Sequence, residues 1–231
     1  MQVRDCVRNA AVSIGVLLAC AGCNGNYNVE VHNGDLSKMI TGSGKETTEV
    51  RMVSGAFTGV DATWGQDVVV HVGKPQQVRV VGDDNVVEFI KTEVAGKNLK
   101  ISMPGSYMNI HCRVEVDTPE LGAASNSGSG TVTVDGAKAD SFDVAADGSG
   151  NVTVSGAGKD FHAILSGSGN VDATQFKCKA ANVLVQGSGN LKVSPSKELN
   201  AAVQGSGNVI CMGQPAKVSK TVNGSGAVVF K

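Results

Sequence analysis

The chain has 231 residues, a formal net charge of −1 and only 4% aromatic residues. That balance argues against a broad cationic surface for nucleic acid, and the length leaves room for one domain with accessory segments. Glycine reaches 30 residues and valine is abundant, which favours strands and turns over helices.

The N-terminus reads as an export signal. Arg4 and Arg8 precede the apolar run Ala10–Ala19, which is too short to span a bilayer and right for a signal-peptide core. The run ends in "LLACAGCNG", which resembles the processing site of bacterial lipoproteins. Cys20, preceded by Leu17, Leu18 and Ala19, is the predicted acylation site. Cys23 is the alternative, because Ala21-Gly22 is the better small pair before it. Cleavage of an ordinary secretory signal nearby is a third reading. By resemblance to lipoproteins, Ala21 after the anchor implies outer-membrane sorting. The expected layout is a signal peptide over 1–19 and a lipid-anchored flexible tether over 20–49, in a protein exported to the cell envelope. Within the tether, "TGSGKETTEV" has the look of a phosphate loop. It fails as one, because Met39 stands where the motif needs Gly, and Glu46 where it needs Ser or Thr.

Residues 50–121 predict an N-terminal β region with a short capping helix. Asp67–Val72 is a Val-rich strand, "GKPQQ" a hairpin turn, and Gln77–Val81 the returning strand. Asp84–Thr92 has apolar residues at roughly helical spacing, with Asp84 as N-cap. Leu99–Met103 and Ile110–Val116 are further strands. "WGQDVVV" is a degenerate copy of the repeat that follows, so an early coil is expected near Gly65.

Residues 122–231 repeat. Gly-Ser-Gly recurs from Gly128 at spacings of 20, 19, 20, 18 and 19 residues. The turns place glycine at Gly128 and Gly130, Gly148 and Gly150, Gly167 and Gly169, Gly187 and Gly189, and Gly205 and Gly207. After each turn comes a strand with inward-type residues two apart, such as Val132/Val134 and Val152/Val154. Before the next comes a second strand, such as Phe142/Val144/Ala146. Two short strands cannot bury a core alone, but stacked as parallel coils they form a β-helix. The weighed alternative is an antiparallel hairpin array, which would not require identical turns at constant spacing. In this register the glycines supply positive φ at tight corners. The turn serines stack at about 4.8 Å, and Asn151, Asn170, Asn190 and Asn208 form a hydrogen-bonded ladder. Asn126 and Lys220 fall on inward positions, a departure suited to terminal coils.

Cys112, Cys178 and Cys211 show no metal-ligand spacing. Cys211 occupies a core column, whereas Cys178 is expected in a loop, so a bond between those two is not expected. A pairing of Cys112 with Cys178 stays open.

The order "FTGV…VVVHVGKPQQVRVV…GKNLKI…VEVDTPEL…GSGTV…GSGNV" resembles the head GIN domain family of auto-transporter adhesins, over roughly Ala56 to Phe230. The resemblance implies a right-handed, single-stranded β-helix in an exported bacterial protein, and an adhesin role that is itself an inference from shape.

Chemistry is thin. The turns carry Asn or Thr where calcium loops carry Asp, and their period is wrong for such loops. His162 and Asp143 are predicted neighbours on an outer face without a matching nucleophile. The acids Asp135, Asp143, Asp147 and Asp172 are scattered. Neither catalytic residues nor a metal or cofactor is assigned. Ile164 and Leu184 sit on neighbouring outward positions of the second strand, and Ile210 and Met212 are outward on the first; such an apolar strip is a candidate binding surface or is covered by a loop such as "QFKCKA", and the two readings stay open. The expected function is therefore non-catalytic: display of a rigid surface for an envelope glycan or protein, with the membrane engaged through the anchor. A polysaccharide-active enzyme and a self-associating structural element are the alternatives; an exposed last strand would serve homo-oligomerisation.

Overall fold

The computed structural model describes residues 39–231. In chain order its strands are β1 Ile40–Thr41, β2 Glu46–Arg51, β3 Gly59–Ala62, β4 Asp67–Val72, β5 Gln77–Asp83, β6 Lys91–Ala95, β7 Asn98–Ser102, β8 Tyr107–Met108, β9 Cys112–Thr118, β10 Ala123–Asn126, β11 Thr131–Ala146, β12 Asn151–Leu165, β13 Asn170–Val185, β14 Asn190–Val203, β15 Asn208–Cys211, β16 Lys217–Val222 and β17 Ala227–Phe230.

From β10 onward every strand pairs in parallel with the strand one coil away, so the molecule is an all-β parallel solenoid. The period-two pattern sets the register. Val132, Val152, Val171, Leu191 and Val209 lie side by side and are fully buried. Phe142, Phe161, Ala181 and Leu199 form a second buried column. Each such Val or Leu contributes about 1.5–3 kcal/mol by leaving water.

The cross-section has a third side, which the two-strand repeat did not predict. Between its two flat stretches, β13 turns Phe176 and Cys178 inward, and both are buried. Cys178 is therefore in a strand and not in a loop. The ladder slips register at this corner, between Val134 and Ala137, between Thr153 and Ser155, and again between Ala173 and Cys178. These slips absorb the uneven coil lengths without disturbing the flat sides. Cys112, Cys178 and Cys211 are all free thiols. Burial pushes the Cys178 thiol up to about 11, which leaves it inert.

The turn glycines are needed for a reason other than the expected one. None of the Gly-Ser-Gly glycines from Gly128 to Gly207 has a left-handed φ; in those turns it occurs only at Gly224. Instead, a Cβ on either glycine of a turn would run into backbone of the coil before, such as the Gly150 carbonyl facing Gly169. Several of the turn carbonyls accept from the next coil, as in Asn151 N–H to Gly130 O at 3.1 Å and Gly207 N–H to Gly187 O at 3.0 Å.

The N-terminal part departs most from the chain order. β3 and β4 make one coil, with Gly65 near Ser129 in the turn column, as "WGQDVVV" predicted. The coil outside it is β7 and β9, which pair in parallel with β3 and β4. A coil later in the sequence therefore lies beyond an earlier one. This displaces the predicted hairpin: β4 and β5 do not pair, because β9 lies between them, parallel to β4 and antiparallel to β5. Antiparallel β6 on β7, and β2 on β5, then close the end. The predicted helix shrinks to a single 3-10 turn, Val87–Phe89, preceded by Val86 without a side-chain cap.

Asp84 has another task. It accepts from Ser43 Oγ at 2.7 Å and pairs with Lys45 at 3.0 Å. Beside it, buried Asp83 accepts from Gly44 N–H and His111 N–H, both at 2.8 Å. Asn85 bonds Thr41 O and Ser43 N–H, each at 2.9 Å. "TGSGK" is thus a clasped loop, and β1 and β2 bring ordered structure forward from the tether boundary expected at residue 49. Asp83→Ala removes the shared acceptor of two part-buried backbone amides, each lost hydrogen bond costing about 0.5–1.5 kcal/mol. It is expected to lower the melting temperature and to raise hydrogen exchange in residues 41–45 selectively; unchanged exchange there would refute the clasp.

Asn126 is not terminal, since β3 lies beneath it. Its Oδ1 accepts from Gly128 N–H at 2.9 Å and its Nδ2 donates to Gly130 O at 2.8 Å, so it braces the first turn from inside. Lys220 does lie in the end coil: β16 is exposed along its length, and Phe230 of β17 remains 36% exposed.

Candidate functional site

Each flat side of the solenoid sends alternate side chains outward, so coil stacking turns single positions into rows. On the side containing β10 the register aligns Asp143, His162, Asn182, Asn200 and Ser219 in one row. The adjacent row is Ala145, Ile164, Leu184, Ala202 and Thr221. The structure therefore brings the four predicted surface residues, Asp143, His162, Ile164 and Leu184, onto one face.

The rows differ in chemistry. Ile164 is 47% exposed and Leu184 half-buried, which makes a short apolar strip flanked by alanines. Beside it, Asn200 Nδ2 donates to Asn182 Oδ1 at 2.9 Å and to Glu198 Oε1 at 3.1 Å. This second amide ladder was missed in the sequence, although the spacing of 18 residues between Asn182 and Asn200 was its signal. A depression of about 400 Å³ runs between the rows, lined by His162, Ile164, Leu184, Asn200 and Thr221 among others. Asp143 and His162 are register partners, but no hydrogen bond or ion pair joins them among the described residues.

The opposite row of the turn column is structural. Asn170 Nδ2 donates to Asn151 Oδ1 at 3.0 Å, Asn190 to Asn170 at 3.2 Å, and Asn208 to Asn190 at 2.9 Å. The backbone N–H of Asn170 and of Asn190 also donates to the same oxygen as its side chain, each at 3.2 Å. Both functions of each inner amide are thus used inside the scaffold, in the ladder the sequence predicted.

Charged groups cluster at the capped end. Arg79 reaches Asp117 at 2.9 Å and Glu115 at 3.2 Å, and Lys74 stands 3.5 Å from Asp117. Burial opposes ionisation of Asp117, but Arg79 and Lys74 outweigh it and hold the carboxyl below its usual value. The network fixes β5 against β9. Among the described residues no group of three His, Cys, Asp or Glu side chains is placed to hold a metal ion. No helix there is long and apolar enough to cross a membrane. Cys20 and Cys23 lie outside the described residues.

Comparison with known proteins adds to this geometry. The family profile described as "Putative auto-transporter adhesin, head GIN domain" matches residues 56–215. The chain belongs to this family. The match spans the capped end as well as most of the coils, so the head GIN domain includes the out-of-order coil. A crystal structure from Bacteroides fragilis, described as a putative adhesin, is similar at 23% identity and a TM-score of 0.63, covering 83% of this chain and all of its own. One from Parabacteroides distasonis, described as a putative lipid binding protein, is similar at 21% identity and a TM-score of 0.55, covering 84% and 100%. A Parabacteroides merdae adhesin-like structure shares 16% identity at a TM-score of 0.52, covering 84% and 99%. These likenesses establish a shared fold. No curated protein matches the chain.

Proposed function

We propose that this head GIN domain is a non-catalytic, adhesin-like binding module that meets a partner protein through its Ile164–Leu184 face. The observation behind this reading is the apolar strip itself. Two large aliphatic side chains stand one coil apart on a rigid outer sheet face, where the neighbouring coils present Asp143, Asn200 and Ser219. Branched aliphatics ringed by amides match the apolar core and polar rim of a protein interface. A sugar-stacking face would more readily use aromatic rings. The family description as an adhesin, and the similar adhesin-like structures, support the same class and an envelope or extracellular setting.

The anchor is part of the proposal. Acylation of Cys20, with Cys23 as the alternative, would tether the module to the outer membrane. Fatty-acid labelling of cells is expected to mark the wild type and to fail in one of Cys20→Ser and Cys23→Ser; no label on the wild type would remove the anchor.

The binding face is tested by the double variant Ile164→Asp, Leu184→Asp. Both side chains point outward from the sheet, Ile164 at 47% exposure, so the fold is expected to persist, with the melting temperature as the check. Attachment of expressing cells to immobilised extracellular-matrix proteins is expected to fall at least tenfold. Attachment equal to wild type would overturn the face assignment. Turnover of a polysaccharide by the purified chain would overturn the non-catalytic reading.

A further inference from the structure

Charge is distributed very unevenly along the solenoid. Residues 39–172 carry 17 Asp or Glu against 10 Lys or Arg, whereas residues 173–231 carry 7 Lys and a single acid, Glu198. The near-neutral total hides a basic C-terminal segment. That segment, with Asp172 at its boundary, also lines a concave site of about 480 Å³, on a different side from the Ile164 face. It is lined by Lys177, Lys192 and Lys231, by the polar Thr174 and Ser194, and by an aliphatic wall of Ile210 and Met212.

We propose that this cleft binds an anionic saccharide segment, its charge carried by carboxylate or phosphate. Lys177 and Lys231 line it without an acidic partner among the described residues. The acid within it, Asp172, is already occupied: it accepts from Thr174 Oγ at 2.7 Å and Thr174 N–H at 3.1 Å, and pairs with Lys192 at 3.3 Å. Asp172 therefore positions Lys192 and offers little repulsion to a ligand. Ile210 and the 39% exposed Met212 supply an apolar wall beside the lysines, so recognition here rests on charge and not on ring stacking. The volume falls within the usual range for small-ligand sites. Lys179 and Lys197 continue the positive surface around the same corner of neighbouring coils, which favours a polymer over an isolated anion. No aromatic side chain lines the cleft, so it lacks the stacking platform that single-stranded nucleic acid uses.

The test is affinity electrophoresis of the full-length chain, in detergent, through gels containing polygalacturonate, a phosphodiester-bearing mannan or neutral dextran. Retardation by at least one charged polymer and not by dextran is expected, and the two charged arms separate carboxylate from phosphate. Lys177→Glu with Lys231→Glu is expected to weaken retardation at least tenfold at unchanged melting temperature. Lys138→Glu with Lys159→Glu, in the acidic segment, is expected to leave it intact. Equal retardation by dextran, no retardation by either polyanion, wild-type binding in the Lys177/Lys231 variant, or stronger binding to single-stranded DNA would each overturn the assignment. Ile164→Asp with Leu184→Asp should not alter retardation, so this site and the strip succeed or fail separately.

Discussion

Phe176→Ala is expected to cost about 4 kcal/mol, the largest loss from any single truncation in the solenoid. The ring is fully buried where the third side meets the core, with centroids 5.6 Å from Phe142 and 5.4 Å from Phe161. It fills space left by small residues in the coil before, since a Cβ on Gly158 would stand 2.9 Å from its Cζ. Alanine would leave a void walled by stacked backbone, which cannot collapse without breaking ladders on both sides. Because stacked coils unfold in a nearest-neighbour manner, the effect should be localised. Thermal melting together with hydrogen exchange should show the coils around residues 137–196 opening first. A loss under about 1 kcal/mol, or uniform exchange, would show that the aromatic cluster does not hold this corner.

The second large effect is Gly169→Ala, expected to destabilise by about 3 kcal/mol, at the upper end of overpacking costs. One methyl group is enough because the obstacle is backbone, the Gly150 carbonyl of the coil before, and not the end of a flexible side chain. Ser168→Ala in the same turn should cost less than about 0.5 kcal/mol, since that side chain faces water. Urea unfolding of the two variants measures the contrast. Similar losses for both would mean that the turn can shift outward, and that glycine is kept there for some other reason.

The repeats were legible because each coil stacks on its sequence neighbour. A residue such as Val152 repeats its environment about 19 positions later as Val171, so periodicity is geometry. The asparagine ladder followed from the same logic. The reason for the glycines did not, because positive φ and close backbone approach select the same residue, and only the stacked carbonyls separate them. Phe176 escaped because a two-strand template has no third side; the small pairs Ala137/Ala139 and Gly156/Gly158 were its signal. The clasp of Asp83 on Gly44 and the insertion of β9 between β4 and β5 depend on contacts between distant segments without a shared pattern. The Ile164–Leu184 strip was readable from alternation. The cationic cleft was hidden, because Lys177, Lys192 and Lys231 converge only once the corner is folded.

The out-of-order coil has a consequence for how such a protein is made and how its lineage can change. The β3–β4 coil gains its outer neighbour only when residues 98–118 are available, and its inner one only when residues 123–134 follow. A chain emerging from a translocation pore N-terminus first therefore cannot complete this end as it arrives. The repeats, whose partners lie about 20 residues away, can zip as they appear and then offer a template on which the earlier segment closes. The same asymmetry favours the Gly-Ser-Gly stretch as the place where a coil can be added or removed. There a duplicated unit meets the same neighbours on either side, whereas a duplication between residues 59 and 122 would have no vacant layer to enter.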